Sequence, residues 1–427
     1  MKTLKAALVG AGKRGKIYCN YALYTEGKEL EIVAVVDPLK FTLDEAAEKY
    51  GVKEENRFSS IEEFVAKKIE CDFVVNATMD EIHYETAMKL INAGYNLILE
   101  KPLTAKKAEL LEIERAAKEK GVKILVCHVL RYTPFYRAIK KVINEGKIGK
   151  VMSMEMHEHV GKYHFLNSFV RGKWHSEQEC GSGLLLAKCC HDTDLMCWLN
   201  GETVPEKVSS FGSRSHFIKE NAPADATEYC YNCPHVKTCI YSSQKTNLEC
   251  DWMSYQTWQR IGKPLDSITY EEKVEFLKHD TYGKCAYNSG GDIVDRQNVS
   301  VEFANGSIAS LTMIGGCSKE DRFIHIVGTE GEIKGFWGEN KFEVLRFQWS
   351  EGLYEPTKEI IDVSQNIVNK GGHGGGDYAL MQDAVRFFAG EGESVSVTKI
   401  EDSINGHLIV YAAEESRKTG KIVKIEK

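Results

Sequence analysis

The first 128 residues repeat one unit: a short β-branched run, a turn, then a stretch of helical periodicity. The runs are Lys5 to Val9, Glu31 to Val36, Cys71 to Asn76, Asn96 to Leu99 and Lys123 to His128. Helical spacing covers Phe41 to Tyr50, His83 to Ala93 and Thr104 to Lys120, with glycine stops at Gly94 and Gly121. Parallel strands cannot be joined by tight hairpins and need crossovers of this length, so the pattern predicts a doubly wound parallel sheet covered by helices. A helix opening at Thr133-Pro134 and ending near Glu145 closes this part. From Val151 onward, strand-like runs follow without long intervening helices (Val151 to Val160, Asn298 to Phe303, Ser307 to Met313, Phe323 to Gly328, Phe342 to Trp349), as in a mainly antiparallel sheet.

The sequence thus reads as α/β, with residues 1–130 as one domain and 131–427 as a second, α+β domain built on a large open sheet. Residues 214–290 form a polar, cysteine-rich insertion in it, and Ile400 to Thr419 forms a late helix. At 43% hydrophobic and 27% charged, the chain can bury a core and is not disordered. Its formal charge of −7 argues against nucleic acid as a partner. No apolar run reaches the roughly 20 residues that cross a bilayer, so no membrane association and a cytoplasmic location are expected.

Gly10-Ala11-Gly12-Lys13-Arg14-Gly15 follows the first strand and opens a helix, and Asp37 ends the next strand about 20 residues on. In that context Gly10 makes the turn, Gly12 admits a pyrophosphate to the helix N-terminus and Gly15 lets helix and strand pack. Asp37 suits a ribose 2′-hydroxyl, so a Rossmann domain binding NAD is expected, with Lys13 and Arg14 leaving room for NADP. Glu100-Lys101-Pro102 stands at a strand end, where such sheets place their ligands. Asn76, Thr78 and His83 lie at the same rim and complete the expected cofactor contacts. A third piece, Leu184 to Leu195, reads as a strand or turn entering a helix. In it Lys188 and His191 share a face, and His191 has the near-neutral pKa needed to take a proton from a hydroxyl.

Together these three pieces resemble the glucose-fructose oxidoreductase, inositol dehydrogenase and rhizopine-catabolism (Gfo/Idh/MocA) family over most of the chain. The resemblance implies NAD or NADP as hydride carrier and a sugar, glycoside or cyclitol as substrate. It also implies a lysine at Lys101 that positions the hydroxyl and a histidine at His191 that acts as base. Many members carry an aspartate four residues before that histidine; here the place is Ala187, and Lys188 beside it is the expected substitute. The resemblance extends to Glu155 to Trp174, a branch with Phe-Val-Arg-Gly-x-Trp. By strand period Ser153, Glu155, His157 and His159 share a face that could look into the cleft, and Glu158, His164, Arg171 and Trp174 are candidate sugar contacts.

Two redox outcomes fit such a site: net oxidation or reduction of a secondary hydroxyl or ketone, and glycoside cleavage through a transient 3-keto sugar. A non-catalytic sugar sensor is a third reading, which the presence of both Lys101 and His191 disfavours. The open sheet suggests a homodimer or homotetramer.

Thirteen cysteines in a chain without an export signal read as thiols or metal ligands rather than disulfides. Cys230, Cys233 and Cys239 have metal-ligand spacing, and with Cys285 as preferred fourth ligand (Cys250 and His235 as alternatives) they predict a structural zinc site; an iron-sulfur cluster is a lesser alternative. Cys189 and Cys190 read as packing residues. His373, in a glycine-rich turn before a helix, suggests either a segment closing on a ligand or a plain linker.

Overall fold

The computed structural model describes residues 2–250, 254–347, 356–368 and 370–426. Six parallel strands, β1 (Leu4–Val9), β2 (Leu30–Val36), β3 (Arg57–Phe58), β4 (Phe73–Asn76), β5 (Leu97–Leu99) and β6 (Ile124–Val126), form a sheet in the order β3-β2-β1-β4-β5-β6. β4, β5 and β6 are buried at every position, which is why they read as unbroken apolar runs without alternation. The helices Lys40–Tyr50 and Lys107–Lys120 end on Gly51 and Gly121 in the left-handed conformation. The chain order reverses between β1 and β4, so a ligand crevice opens at the carboxyl ends of these two strands. The sequence reading missed the two-residue edge strand β3 and the short helices Tyr21–Tyr24 and Ile61–Lys67, all too brief for a periodic signal.

Thr133 caps the linking helix Pro134–Asn144, its side chain accepting from the Tyr136 amide with Pro134 in the first turn. The second sheet has nine strands: β7 (Val151–Gly161), β8 (Pro205–Ser213), β9 (Arg296–Phe303), β10 (Ile308–Cys317), β11 (Asp321–Gly328), β12 (Gly331–Phe336), β13 (Lys341–Arg346), β14 (Thr357–Asp362) and β15 (Val423–Lys424). Their order is β14-β13-β12-β11-β7-β10-β9-β8-β15, antiparallel except for the β7–β10 pair. Of the expected run Phe342 to Trp349, the strand extends to Arg346, and residues 348 and 349 lie outside the described residues.

Alternation along β7 corrects one expectation. Met154, Met156, Glu158 and Val160 point inward, and Ser153, Glu155, His157 and His159 face out from the sheet, away from the cleft. The methionines decide this, because Met154 and Met156 fill the main core together with Leu311, Met313, Ile324 and Ile326.

The segment Leu184–Leu199 is helical from its first residue, with no strand or turn before it. Every residue in it but Lys188 is buried, as expected of a helix that is apolar all round. The helix Ile400–Thr419 crosses it at Gly406, where a Cβ would stand 3.0 Å from the Asp194 amide nitrogen. The chain then reuses the first domain: Leu380, Met381 and Val385 of the helix Gly376–Phe388 pack into the core formed by β1 and β2, and Phe388 stacks on Phe73 with ring centroids 4.8 Å apart. The boundary near residue 130 therefore separates the sheets but not the cores.

The insertion carries a small core of its own (Trp258, Ile268, Leu277, Tyr282). Among the described residues no helix is long and apolar enough to cross a membrane.

Candidate active site

The glycine turn has the geometry its spacing predicts. Gly10 adopts φ +82°, and a Cβ there would lie 2.7 Å from the Ala77 backbone; one at Gly15 would lie 2.4 Å from the Gly10 carbonyl oxygen. Gly12 has open space where its side chain would be, on the side a pyrophosphate needs. Asp37 ends β2 with Oδ2 accepting from the Ala11 amide at 2.9 Å and Oδ1 from the Leu39 amide at 2.9 Å, so it holds the loop at the ribose position. Burial raises its pKa against these two hydrogen bonds. The loop, the vacant side of Gly12 and the strand-end carboxylate fit a dinucleotide.

Other expected cofactor contacts are redistributed. Arg14 turns into the protein, pairing with Glu100 at 2.8 Å and Asp377 at 2.6 Å and contacting Tyr18, so it clamps the glycine helix to the C-terminal helix. Lys13, its neighbour, faces the insertion, with Nζ 3.3 Å from the centre of the Tyr255 ring. Asn76 and His83 are sealed behind the rim: Asn76 donates to Thr86 Oγ1 at 3.0 Å, and His83 Nδ1 donates to the Pro102 carbonyl at 2.8 Å. They support the turn that carries Lys101. Thr78 stays at the rim, donating to Asn76 Oδ1 at 3.0 Å. Glu100 is buried and accepts from the Lys101 amide at 2.7 Å.

Lys101 and the helix Leu184–Leu199 meet directly: Lys101 Nζ donates to the Ala187 main-chain oxygen at 3.0 Å. His191 follows one turn later, with 5% of its surface exposed. Its ring lies 5.7 Å from that of His128 and 6.0 Å from that of His373. Burial first, then the positive charge of Lys101 and the neighbouring histidines, hold its pKa well below the ordinary histidine value, so the imidazole is neutral and able to accept a proton. Its Nδ1 is buried and has no hydrogen-bond partner among the described residues. His373 is thus part of the cleft wall rather than of a free linker, held by Asp377 at 3.1 Å.

Lys188, on the same face, anchors a charge cluster. Its Nζ lies 3.3 Å from Glu158 and 3.1 Å from Glu320, and Arg322 joins Glu158 at 2.7 Å to Asp192 at 2.9 Å. Burial opposes the Lys188 charge, but Glu158 and Glu320 keep its pKa above the usual lysine value. Lys188 is therefore a fixed cation and no proton carrier at neutral pH. Burial works against the Glu320 charge too, yet His164 (2.9 Å) and Lys188 hold its pKa down to about 2, while burial pushes Asp192 up to about 6 against the pull of Arg322.

The four expected sugar contacts separate. His164 belongs to this cluster and is partly exposed; Glu158 lies beneath it, fully buried. Trp174 stands at the seam between domains, donating from Nε1 to Asp80 at 3.1 Å and stacking on Phe169. Arg171 is a correction. It is completely buried and donates to the carbonyls of Lys284 (2.7 Å) and Tyr241 (2.5 Å), so it ties the insertion to the domain and is out of reach of a substrate.

The expected zinc site is not shown. Cys230, Cys233, Cys239 and Cys285 line one cavity of about 20 Å³, but among the described residues no three His, Cys, Asp or Glu side chains converge to hold a metal. Cys230 Sγ accepts from the Ser243 amide (3.4 Å) and lies 3.9 Å from Arg171, and Cys239 Sγ accepts from the Tyr241 amide (3.4 Å). Arg171 and the rings of His216, Phe217, Tyr241 and Tyr287 pack beside this cavity and hold the insertion together there. Cys189 and Cys190 are buried as packing residues, and burial pushes the Cys190 thiol up to about 12.

The sequence reading missed Arg322, Glu320, Asp80 and the Arg131–Asp194 pair. One signal was available: Asp192 and Asp194 sit in a helix apolar on every side, and buried carboxylates need cations.

Models of an oxidoreductase family match both halves of the chain, its NAD-binding Rossmann fold over residues 4–128 and its C-terminal alpha/beta domain over 140–425. A putative oxidoreductase of Bacillus subtilis, YteT, is 27% identical over 322 residues, 73% of this chain and 71% of its own. An NAD-binding oxidoreductase from Klebsiella pneumoniae superimposes with a TM-score of 0.71 at 18% identity, covering 100% of both chains. Levoglucosan dehydrogenase, solved with NADH and levoglucosan, does so with a TM-score of 0.68 at 18% identity, also over 100% of both.

Proposed function

The chain belongs to the Gfo/Idh/MocA oxidoreductase family, and from that premise we propose that it is an NAD-dependent dehydrogenase acting on a secondary hydroxyl or ketone of a sugar, glycoside or cyclitol. One observation carries the reading: Lys101, at the carboxyl end of β5, reaches the helix that bears His191 and puts a cation and a neutral base at the mouth of the dinucleotide crevice. Bound NAD supplies the hydride acceptor, held by the glycine loop and Asp37. In the direction of oxidation, His191 takes the hydroxyl proton, and Lys101 stabilises the oxygen as negative charge develops on it. Lys188 acts as a positioning residue, fixing Glu158 and Glu320 around the substrate end of the cleft. Similarity to a protein solved with a sugar and NADH supports the substrate class. Mixing the protein with NAD and a panel of sugars, glycosides and cyclitols, and following absorbance of the reduced cofactor, tests it; no turnover on any of them, in either direction, rejects it.

Glycoside cleavage through a transient 3-keto sugar is a second reading of the same site. His164 favours it, because removing a proton beside a ketone calls for a second base, and burial followed by the charge of Lys188, 3.5 Å away, lowers the His164 pKa and keeps its ring neutral. Glycoside consumed with no net NADH would select this reading. The expected homodimer or homotetramer belongs to the same proposal: a row across the open sheet face, Phe211–Asn298–Thr312–His157–Phe323–Phe336, leaves Phe211 75% exposed.

A neutral His191 sets the pH dependence. A base whose pKa is lowered stays deprotonated, and so active, below the ordinary histidine value of about 6.5. The acidic limb of kcat/KM for oxidation is expected below pH 6.5; a limb at or above it would contradict the burial argument.

A further inference from the structure

The insertion reaches the cofactor loop at a point that the proposed chemistry does not use. Tyr255 opens a single helical turn, Tyr255–Trp258, and its ring lies under Lys13 Nζ, 3.3 Å from the centroid. Lys13 stands between Gly12, the open approach to the pyrophosphate, and Arg14, which is committed to Glu100 and Asp377. It is therefore the cation of the glycine loop left to face a nucleotide, and its contact is an aromatic ring more than 240 residues away in sequence.

The turn that carries Tyr255 is firmly held. Thr257 is fully buried and donates to Asn247 at 2.7 Å, and Trp258 anchors the insertion's own core with Ile268, Leu277 and Tyr282. Gln256 accepts from Ser168 at 3.3 Å, which fixes the turn to the segment leading to Trp174 and, through it, to Asp80 on the first domain. Arg171 fastens the base of the insertion to the sheet domain. The insertion thus spans from the sheet domain across to the nucleotide loop, with Tyr255 at the far end.

We propose that Tyr255 is a cofactor-retaining residue, closing the pyrophosphate end of the dinucleotide groove over Lys13 so that NAD(H) remains bound between turnovers. The inference rests on the glycine loop being the dinucleotide site. Lys13 is exposed on the side away from the ring, and a bound pyrophosphate would cover that side, leaving the cation between phosphate and ring where lower polarity strengthens the attraction. Nucleotide then leaves when the Lys13–Tyr255 contact opens, and a cation–π contact desolvated in this way slows that step about tenfold.

The test is the rate of NADH release, measured by stopped-flow fluorescence on the full-length protein chased with excess NAD. Tyr255→Ala is expected to speed release about tenfold and also to speed association, while Tyr255→Phe, which keeps the ring, stays within twofold of the original protein. In a Lys13→Ala background the Tyr255→Ala effect should shrink to less than threefold, since its partner is gone. Release unchanged in Tyr255→Ala, with the circular dichroism of the original protein, overturns the inference, as does an undiminished effect without Lys13. Equal acceleration by the Phe and Ala variants would overturn it too. Failure of the original protein to bind NADH would overturn instead the dinucleotide reading on which it rests.

Discussion

His191→Ala should lower turnover on the best substrate of the panel about 10³-fold, and Lys101→Ala about 10²- to 10³-fold, with NADH affinity nearly unchanged in both. The two act on the same oxygen but differently. In the proposed reaction His191 removes its proton, a role closed to Lys188 and Arg322, which are fixed cations, and to His128, which is buried against Ser403. Lys101 contributes charge and position through its bond to the Ala187 carbonyl. Neither side chain bonds to the glycine loop or to Asp37, so cofactor binding should survive, and fluorescence titration with NADH checks this directly. Turnover within threefold of the original protein in either variant would remove that residue from the chemistry. Recovery of the His191→Ala reaction at high pH, where hydroxide substitutes for the base, would support the assigned role.

Asp194→Ala should cost about 3–5 kcal/mol of stability, the largest effect expected from one substitution outside the cleft. Asp194 takes both arms of the Arg131 guanidinium, at 2.7 and 2.6 Å, and neither residue is more than 3% exposed. Removing the carboxylate leaves a buried arginine without its counter-charge, next to the seam where the helices Leu184–Leu199 and Ile400–Thr419 cross. Urea unfolding followed by tryptophan fluorescence measures the loss. Replacing both partners by apolar residues (Arg131→Met with Asp194→Leu) should recover most of it, since the cost comes from the orphaned charge and not from the missing pair. A single variant as stable as the original protein would mean that water reaches Arg131 and the pair is not sealed.

Where the sequence reading succeeded, the signal was local. The central strands of the parallel sheet are mostly apolar runs, and the glycine loop depends on neighbouring backbone atoms, so spacing alone anticipated the turn at Gly10, the close approach at Gly15 and the strand-end position of Asp37. Lys101 and His191 were legible because each sits at a fixed point of its own element, a strand end and a helix face. The errors arose where a side chain had to choose between distant partners. Arg171 has the composition of a ligand contact, and only the approach of Lys284 and Tyr241 makes it a buried clamp. The cysteines have metal spacing along the chain and line one cavity, yet among the described residues no three metal-ligating side chains converge.

The sequence by itself therefore determined the two-sheet architecture and the glycine loop, and supplied Lys101 and His191 as the proposed cation and base, because backbone geometry and period are written in neighbouring residues. Tertiary structure alone decided the outward face of β7, the Lys188–Glu158–Arg322–Asp192 cluster and the arrival of Tyr255 over Lys13. These depend on burial and on pairing across the fold: a buried charge takes whichever opposite charge the packing of apolar neighbours brings within reach, and no spacing along the chain records which one that is.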